Sequence, residues 1–117
     1  MFKVMAFLVK KSGMSIEEFS NYYENHHVPL VLSLAPAPLV YKRRYLTRSN
    51  ELTQSGNVVD FDAITEVCFE DEASFHKNWL TPLVLDETGK AIAEDEERFI
   101  DRAKTRAYVV DEYATTG

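Results

Sequence analysis

The chain has 117 residues, which suits one domain, and its 45% hydrophobic and 27% charged residues are typical of a packed globular protein. The formal net charge is -6 and the basic cluster formed by Lys42 to Arg44 with Arg48 is short, which argues against a nucleic-acid partner. The apolar stretch at residues 2–10 is too short to span a membrane, so no membrane partner is expected.

The first two predicted elements are a strand and a helix. Residues 2–10 are rich in Val, Phe, Leu and Met and run into a turn at Gly13, a pattern that predicts a buried strand. Ser15 and Glu18 have the spacing of a capping box, in which each side chain bonds the backbone N–H of the other residue. A helix is therefore predicted to begin at about residue 16.

This helix carries two adjacent histidines. At 3.6 residues per turn, Phe19, Tyr23 and either His26 or His27 share one face. An imidazole can gain or lose a proton near neutral pH, so a ring buried in this aromatic stripe predicts a general acid or base. Which of the two histidines faces inward stays open, as does whether Pro29 ends the helix or only kinks it.

Two further strands are predicted, at residues 39–47 and 61–69, with a loop at residues 48–58 between them. In the later strand Asp62 and Glu66 lie on the same face, which is the side opposite to Phe61 and its alternate neighbours. These two acids are expected either to reach solvent or to pair with Arg43 or Arg44 on the neighbouring strand.

The remaining predicted elements are two helices and a strand, at residues 70–79, 90–103 and 106–113. Phe75 and Trp79 are four residues apart on an inward face of the earlier helix, which Pro82 is expected to interrupt. The order strand, helix, strand, strand, helix, strand predicts an α+β, ferredoxin-like fold with a four-stranded antiparallel sheet and helices on one face. The uncovered face of such a sheet predicts a homodimer.

Metal, cofactor and disulfide chemistry are not expected. Cys68 is the single cysteine, it lies in an apolar run, and we expect a buried, inert thiol in a reducing, cytoplasmic setting. His26 and His27 point about 100° apart on a helix and cannot readily share one ion. His76 on another helix could join one of them, but no H-x-x-x-H spacing is present. No Gly-rich phosphate loop or flavin signature is present either.

Four segments carry a resemblance to a known family. They are MSIEEFSNYYENHHVPLV, DFDAITEVCFED, ASFHKNW and DEERFIDRAKTRAYVVDEY. Together they resemble the EthD family of the dimeric α+β barrel superfamily, and look most like small fungal EthD-domain proteins of secondary metabolism. The resemblance implies that fold over nearly the whole chain. It also implies relatives that include cofactor-independent decarboxylases and dehydratases of aromatic polyketides and methylmuconolactone isomerases.

Residues and resemblance together predict a cofactor-independent lyase or isomerase that acts by proton transfer on a small aromatic or polyketide-like carbonyl compound. His27, which matches the family motif, is the expected general acid or base, with His26 as its neighbouring alternative. Tyr23 and Tyr41 are expected to hydrogen-bond a developing enolate, and Asp62 to orient the histidine or share the proton transfer. The side chains expected to shape a flat hydrophobic cavity are Phe19, Phe75 and Trp79.

Three other functions stay open at this point. A cofactor-free oxygenase of a phenolic substrate would require oxygen for turnover. A non-catalytic ligand-binding module would have an apolar cavity, with His27 turned outward or bonded to a backbone carbonyl. A haem-binding protein would use an axial histidine, although the EthD-type tail does not favour this reading.

Overall fold

The structure, a computed structural model, describes residues 1–47 and 61–117. Its strands are β1 (Phe2–Leu8), β2 (Val40–Tyr45), β3 (Ala63–Phe69) and β4 (Arg106–Val110). Its α-helices are α1 (Ile16–Tyr22), α2 (Val28–Leu34), α3 (Glu72–Phe75) and α4 (Gly89–Glu96). Two wider, π-helical segments, π1 (Tyr23–His27) and π2 (His76–Leu85), join α1 to α2 and extend α3. The predicted loop at residues 48–58 and Arg48 lie outside the described residues.

The four strands form one antiparallel sheet in the order β2-β3-β1-β4. Strand β1 lies between β3 and β4, so that Val4 is opposite both Val67 and Val109. Strand β2 pairs with the other edge of β3, with Tyr41 opposite Val67. This strand order is that of the ferredoxin-like α+β fold, which confirms the predicted fold class.

The two faces of the sheet have different surroundings because side chains alternate along each strand. Thr65 and the residues aligned with it point toward the helices. Glu66 points to the outer face, where its carboxylate lies 3.3 Å from the Lys3 ammonium and 3.1 Å from the Arg44 guanidinium. The predicted cross-strand pairing of Glu66 with a neighbouring arginine is therefore confirmed.

The buried side chains form two clusters between the sheet and the helices. The larger cluster is centred on Phe19 and Phe99, both fully buried, and the smaller one on Val31 and Leu83. No helix within the described ranges is both long and apolar enough to cross a membrane.

The first helix begins and bends where its sequence directs. The Glu18 N–H donates to the Ser15 hydroxyl at 3.1 Å, and the Ser15 N–H donates to the Glu18 carboxylate at 2.9 Å, so the predicted capping box is present. Pro29 does not end the helix. The wider turn of π1, where the Val28 N–H bonds the Tyr23 carbonyl five residues back, precedes the proline, and the chain continues as α2.

The later helices differ from the predicted ones. Pro82 lies inside π2 and does not interrupt the helical path, since a π-helix shifts the hydrogen-bond pattern that a proline breaks. The helix predicted at residues 90–103 ends at Glu96. Beyond it the chain pairs with the end of β1, through a bridge between Lys10 and Ile100. The backbone hydrogen bonds of that pairing replace the helical ones. The helix predicted from the apolar pattern is therefore too long at its C-terminal end.

Gly89 begins α4 at a position that has no room for a side chain. A Cβ built there would lie 3.0 Å from the carbonyl oxygens of both Leu83 and Val84. We expect Gly89→Ala to lower the free energy of unfolding by about 1–3 kcal/mol, because the helix preference of alanine does not offset the clash. Urea denaturation measures this. Gly117→Ala, where an added Cβ meets no atom, is the matched control. A stabilised Gly89→Ala protein would contradict the close approach.

Candidate active site

A cavity of about 290 Å³ lies between the inner face of the sheet and the helices, close to the lower end of the range for small-molecule sites. Its walls are mainly apolar, and include Val4, Ala6, Leu8, Val67 and Ala107 from the sheet and Val31, Trp79, Leu83, Ile92 and Phe99 from the other side. The polar residues on its surface are Tyr23, His27, Tyr41, Thr65, Glu96, Arg102 and Thr105. A ligand in this cavity would therefore meet few, discrete polar groups.

His27 lies at the end of π1 and is 6% exposed. Its Nδ1 lies 2.8 Å from Oδ2 of Asp95, which α4 contributes. The imidazole packs edge-on against Tyr23, with ring centroids 5.6 Å apart, and packs tilted against Phe99, with ring centroids 4.8 Å apart. The ring is thus held both by a carboxylate and by its aromatic neighbours, and its orientation is restricted.

The second ring nitrogen of His27, Nε2, has no hydrogen-bond partner among residues 1–47 and 61–117. In those same ranges, every fully buried side-chain nitrogen or oxygen has a partner. Nε2 is therefore open rather than sealed in the core. Because His27 lines the cavity, Nε2 is the atom that can meet a ligand there.

The carboxylate of Asp95 is held ionised by its donors. Burial acts to raise the pKa of Asp95, but hydrogen bonds from Tyr22 and His27 and the charge of Arg98 outweigh it, and the net shift is downward. The Tyr22 hydroxyl donates to Oδ1, and Arg98 lies 3.3 Å from the same oxygen. An ionised carboxylate accepts from Nδ1–H, which leaves the lone pair of the neutral imidazole on Nε2. This is the tautomer of a general base directed at the cavity.

Two tyrosine hydroxyls lie on the sheet side of the cavity. The hydroxyls of Tyr23 and Thr65 are 2.6 Å apart, and burial raises the pKa of Tyr23 to about 12. Burial, together with the interaction with Tyr23, also raises the pKa of Tyr41. Both phenols stay protonated at neutral pH, and their hydroxyls are hydrogen-bonded to each other and, through Tyr23, to Thr65.

The position of the Tyr41 ring is fixed by contacts with Arg43. The Arg43 guanidinium lies 4.7 Å from the centre of the Tyr41 ring, within range of a cation–π interaction. Arg43 also forms a two-pronged pair with Glu24, at 3.0 Å and 2.6 Å. The Tyr45 hydroxyl donates to the same carboxylate, so the edge of the site next to β2 is braced by π1.

The structure separates the two adjacent histidines. His26 is exposed, and its ring stacks on Tyr22 with centroids 4.8 Å apart. His27 is buried and lines the cavity. The prediction that an imidazole of this doublet faces an aromatic interior therefore applies to His27, and His26 has no place on the cavity surface.

The prediction that Asp62 orients the histidine is wrong. Asp62 is buried immediately before β3, where its carboxylate accepts from the Lys10 N–H at 2.9 Å, and it does not line the cavity. The carboxylate beside His27 belongs to Asp95. A strand alternates faces, and Asp62 shares the parity of the outward-pointing Glu66 rather than that of the cavity residues.

The three aromatic residues predicted to bind substrate have different positions. Trp79 lines the cavity and packs edge-on against Tyr41. Phe19 is fully buried in the core and does not line the cavity. Phe75 also lies outside it, and packs on Phe69. Only Trp79 of the three is placed to touch a ligand in this cavity.

The sequence reasoning missed Thr65, Asp95 and Glu96 as site residues. Ile92 and Phe99 are apolar residues within the helix predicted at residues 90–103, and Asp95 is three residues from the first and four from the second. An acid at an inward-facing helical position is a signal for a buried partner, which here is His27. Glu96 lines the cavity, and burial raises its pKa.

The side chains that could bind a metal ion do not form a cluster in the described part of the chain. Within the described ranges, no group of three or more His, Cys, Asp or Glu side chains is placed to hold a metal ion. His76 is exposed and lies 3.8 Å from Glu72. Cys68 is buried, and burial raises the pKa of its thiol.

The class of protein is a ferredoxin-like α+β domain with a partly open, mainly apolar cavity and a buried His–Asp pair. The family profile of the EthD domain matches residues 11–103, and the chain belongs to the EthD family. The resemblance seen in the sequence motifs is thereby confirmed. No curated protein matches the chain significantly.

Solved structures share the fold at low identity. An EthD family protein from Bacillus halodurans C-125 is 18% identical with a TM-score of 0.64, over 97% of this chain and 100% of the other. At3g17210 of Arabidopsis thaliana is 13% identical with a TM-score of 0.64, over 99% of both chains. HapK from Hahella chejuensis is 11% identical with a TM-score of 0.57, over 99% of this chain and 100% of the other. At these identities the likeness shows the fold alone.

Proposed function

We propose that this EthD-family protein is a cofactor-independent lyase or isomerase that transfers protons on a small aromatic or polyketide-like carbonyl compound. The observation that carries the proposal is the buried His27, with Nδ1 on Asp95 and Nε2 open to an apolar cavity. The carbonyl substrate, and a role in secondary metabolism, are supported by the resemblance of the sequence motifs. Dehydration, decarboxylation, cyclisation and rearrangement of such compounds all proceed through a proton transfer, an enolate or both.

In the proposed reaction Nε2 of His27 removes a proton from a carbon next to the carbonyl group of the substrate. The electron pair of that C–H bond moves into the enolate, and Asp95 stabilises the imidazolium that forms. The imidazolium then returns its proton to a departing hydroxyl, which leaves as water, or to another carbon. General acid–base catalysis of this kind contributes about a hundred- to ten-thousand-fold in rate.

The tyrosines complete the proposed site by binding the enolate oxygen. Tyr23 and Tyr41 keep their protons at neutral pH, since burial raises the pKa of both. Donors fixed in advance stabilise charge that develops in the transition state more than they stabilise the neutral ketone. The apolar walls exclude water and strengthen these hydrogen bonds.

The experiment that tests the proposal follows two reactions without any added cofactor. The first is deuterium incorporation from D₂O into the α-carbon of aryl ketones such as 1-indanone, measured by NMR. The second is loss of water from a β-hydroxy aryl ketone, measured by the absorbance of the conjugated enone. We expect catalysis of at least one. Turnover that requires oxygen and incorporates labelled oxygen would instead indicate the oxygenase.

A non-catalytic binding module has less support from the site. Such a protein needs no proton acceptor, and its histidine would be expected to point outward or to bond a backbone carbonyl. His27 instead bonds the Asp95 carboxylate and lines the cavity. Ligand binding with neither isotope exchange nor elimination in a broad panel of aryl ketones would favour the module.

We also propose a homodimer built on the outer face of the sheet. Phe7 and Tyr108 are in contact on that face, and Tyr108 is 55% exposed. Light scattering after size exclusion at micromolar concentration should give twice the 13.4 kDa mass of one chain. Tyr108→Asp should shift the protein toward the monomer, and Tyr113→Asp in the exposed tail is the matched control. A wild-type monomer would contradict the proposal.

A cytoplasmic location is proposed as well. Its support is the single cysteine, which is unpaired and buried in β3 rather than committed to a disulfide. Fractionation of cells that express a tagged chain measures it, and recovery in the secreted fraction would contradict it.

A further inference from the structure

An ion pair forms part of the cavity wall, apart from His27 and the tyrosines. Glu96 ends α4, and Arg102 follows the turn after it. Nε of Arg102 lies 3.2 Å from Oε1 of Glu96. Both residues line the cavity. The Arg102 side chain is 49% exposed, so this pair lies where the cavity meets solvent.

Arg102 is the only lysine or arginine among the described residues of the cavity wall, and the rest of the wall is largely apolar. A guanidinium presents a planar set of donors that matches a carboxylate. In the structure the Glu96 carboxylate occupies this position, and the exposed Glu97 carboxylate lies farther away, at 4.0 Å.

We infer that the cavity selects aromatic ligands that carry a carboxylate, which pairs with Arg102 in place of Glu96. The apolar walls would cover the ring of such a ligand, while its carboxylate stays at the half-exposed mouth. The inference rests on the proposed function, because it names the class of substrate for the same cavity. Arg102 then acts as a specificity-determining residue.

Displacement of Glu96 from Arg102 by the ligand should change the protonation of Glu96. Burial raises the pKa of Glu96, and the titratable and charged groups that face it are His27, Arg102 and Asp95. Once the ligand takes Arg102, Glu96 loses its cation and lies beside a second anion. Glu96 should therefore take up a proton as the ligand binds. Where Glu96 is already protonated, Arg102 faces only the more distant and exposed Glu97 carboxylate, 4.0 Å away. Affinity for the carboxylate ligand should therefore fall as pH rises through the pKa of Glu96.

The test compares 1-naphthoate with 1-naphthamide, a neutral ligand of nearly the same shape. Isothermal titration calorimetry gives both affinities, and Trp79, the single tryptophan and part of the cavity wall, reports occupancy by fluorescence. We expect the wild type to prefer the naphthoate by roughly tenfold, as one charge-assisted pair would provide. Arg102→Gln should remove that preference, because it weakens binding of the naphthoate far more than binding of the amide. Arg106→Gln is the matched control, because the Arg106 guanidinium is exposed and bonds only nearby carbonyls in the described ranges.

Glu96→Gln separates the proton exchange from simple attraction to Arg102. Titration in two buffers with different ionisation enthalpies measures proton uptake by the wild type on naphthoate binding. Glu96→Gln should bind naphthoate more tightly, with the Glu96 share of the uptake lost; His27→Gln identifies any share from the imidazole. Equal affinity for acid and amide, an Arg102→Gln protein that keeps the preference, or no binding of either ligand would overturn the inference.

Isotope exchange on neutral aryl ketones keeps the two proposals distinguishable. That reaction depends on His27 and not on Arg102. If exchange persists while the naphthoate shows no preference, the assignment of the ligand class fails and the proposed proton transfer stands. If naphthoate selectivity is found without any exchange, the proposed chemistry fails and the anion-selective cavity stands.

Discussion

His27→Ala is expected to lower turnover by about a hundred- to ten-thousand-fold, the contribution of a positioned acid–base group. The substitution removes Nε2, the ring nitrogen that is open to the cavity, and leaves Asp95 without the group it orients. Steady-state kinetics on whichever aryl ketone shows elimination or exchange measures the loss. Binding of the neutral ketone should change much less than turnover, because the apolar walls and Trp79 remain.

His26→Ala is the matched control for this loss. The two residues are adjacent and chemically identical, but His26 is exposed and stacks only on Tyr22 within the described ranges. It should keep the wild-type rate. Circular dichroism should show that both variants stay folded. A His27→Ala protein with full activity would remove His27 as the base.

Asp95→Asn is expected to have the second largest effect. The side chain keeps its size, but an amide nitrogen facing His27 can donate to Nδ1, which puts the ring proton on Nε2 and removes the lone pair from the cavity. We expect turnover to fall by roughly a hundredfold or more, within the range of acid–base contributions. Kinetics in parallel with His27→Ala measure it. Since the two residues act as a unit, the double variant should lose little more than the worse single variant.

Asp95→Asn should also make the free energy of unfolding less dependent on pH. The folded state lowers the pKa of Asp95, so the carboxylate contributes stability that is present above its ordinary range near pH 4 and is lost as pH falls through the folded value. Loss of hydrogen bonds to this charged group should cost about 1.5–3 kcal/mol near neutral pH. Urea denaturation from pH 7 to pH 3 should show the difference between wild type and Asp95→Asn shrinking. A constant difference would contradict an ionised Asp95.

The fold was predictable because each local signal agrees with the sheet. Alternation in β3 and the capping box at Ser15 and Glu18 depend only on near neighbours in the chain, and the structure contains both. The helix ends after residue 89 were not predictable in the same way. The end of α4 is set by pairing of Ile100 with Lys10, about ninety residues away in the sequence, which no local pattern reports.

In the candidate site, too, the residues identified by local spacing were predicted and those that depend on long-range contacts were not. His27 and Tyr23 were found because they lie on one helical stripe with aromatic residues. Asp95 was missed because its partner His27 lies 68 residues away in the sequence. Asp62 was preferred because it lies in the strand predicted at residues 61–69. A helical wheel drawn at 3.6 residues per turn also could not choose between His26 and His27, since the turn that carries them is wider.

The π-helical turn at Tyr23–His27 makes the site sensitive to the deletion of a residue. Both His27 and Val28 are buried, which neighbouring positions of a regular α-helix achieve with difficulty because they point about 100° apart. The turn acts as one inserted amino acid, and losing that extra unit would rotate everything upstream or downstream by the same angle. A deletion of a single codon between Tyr23 and His27 is therefore expected to turn the His27 ring away from the cavity, whereas a substitution there keeps the length of the turn.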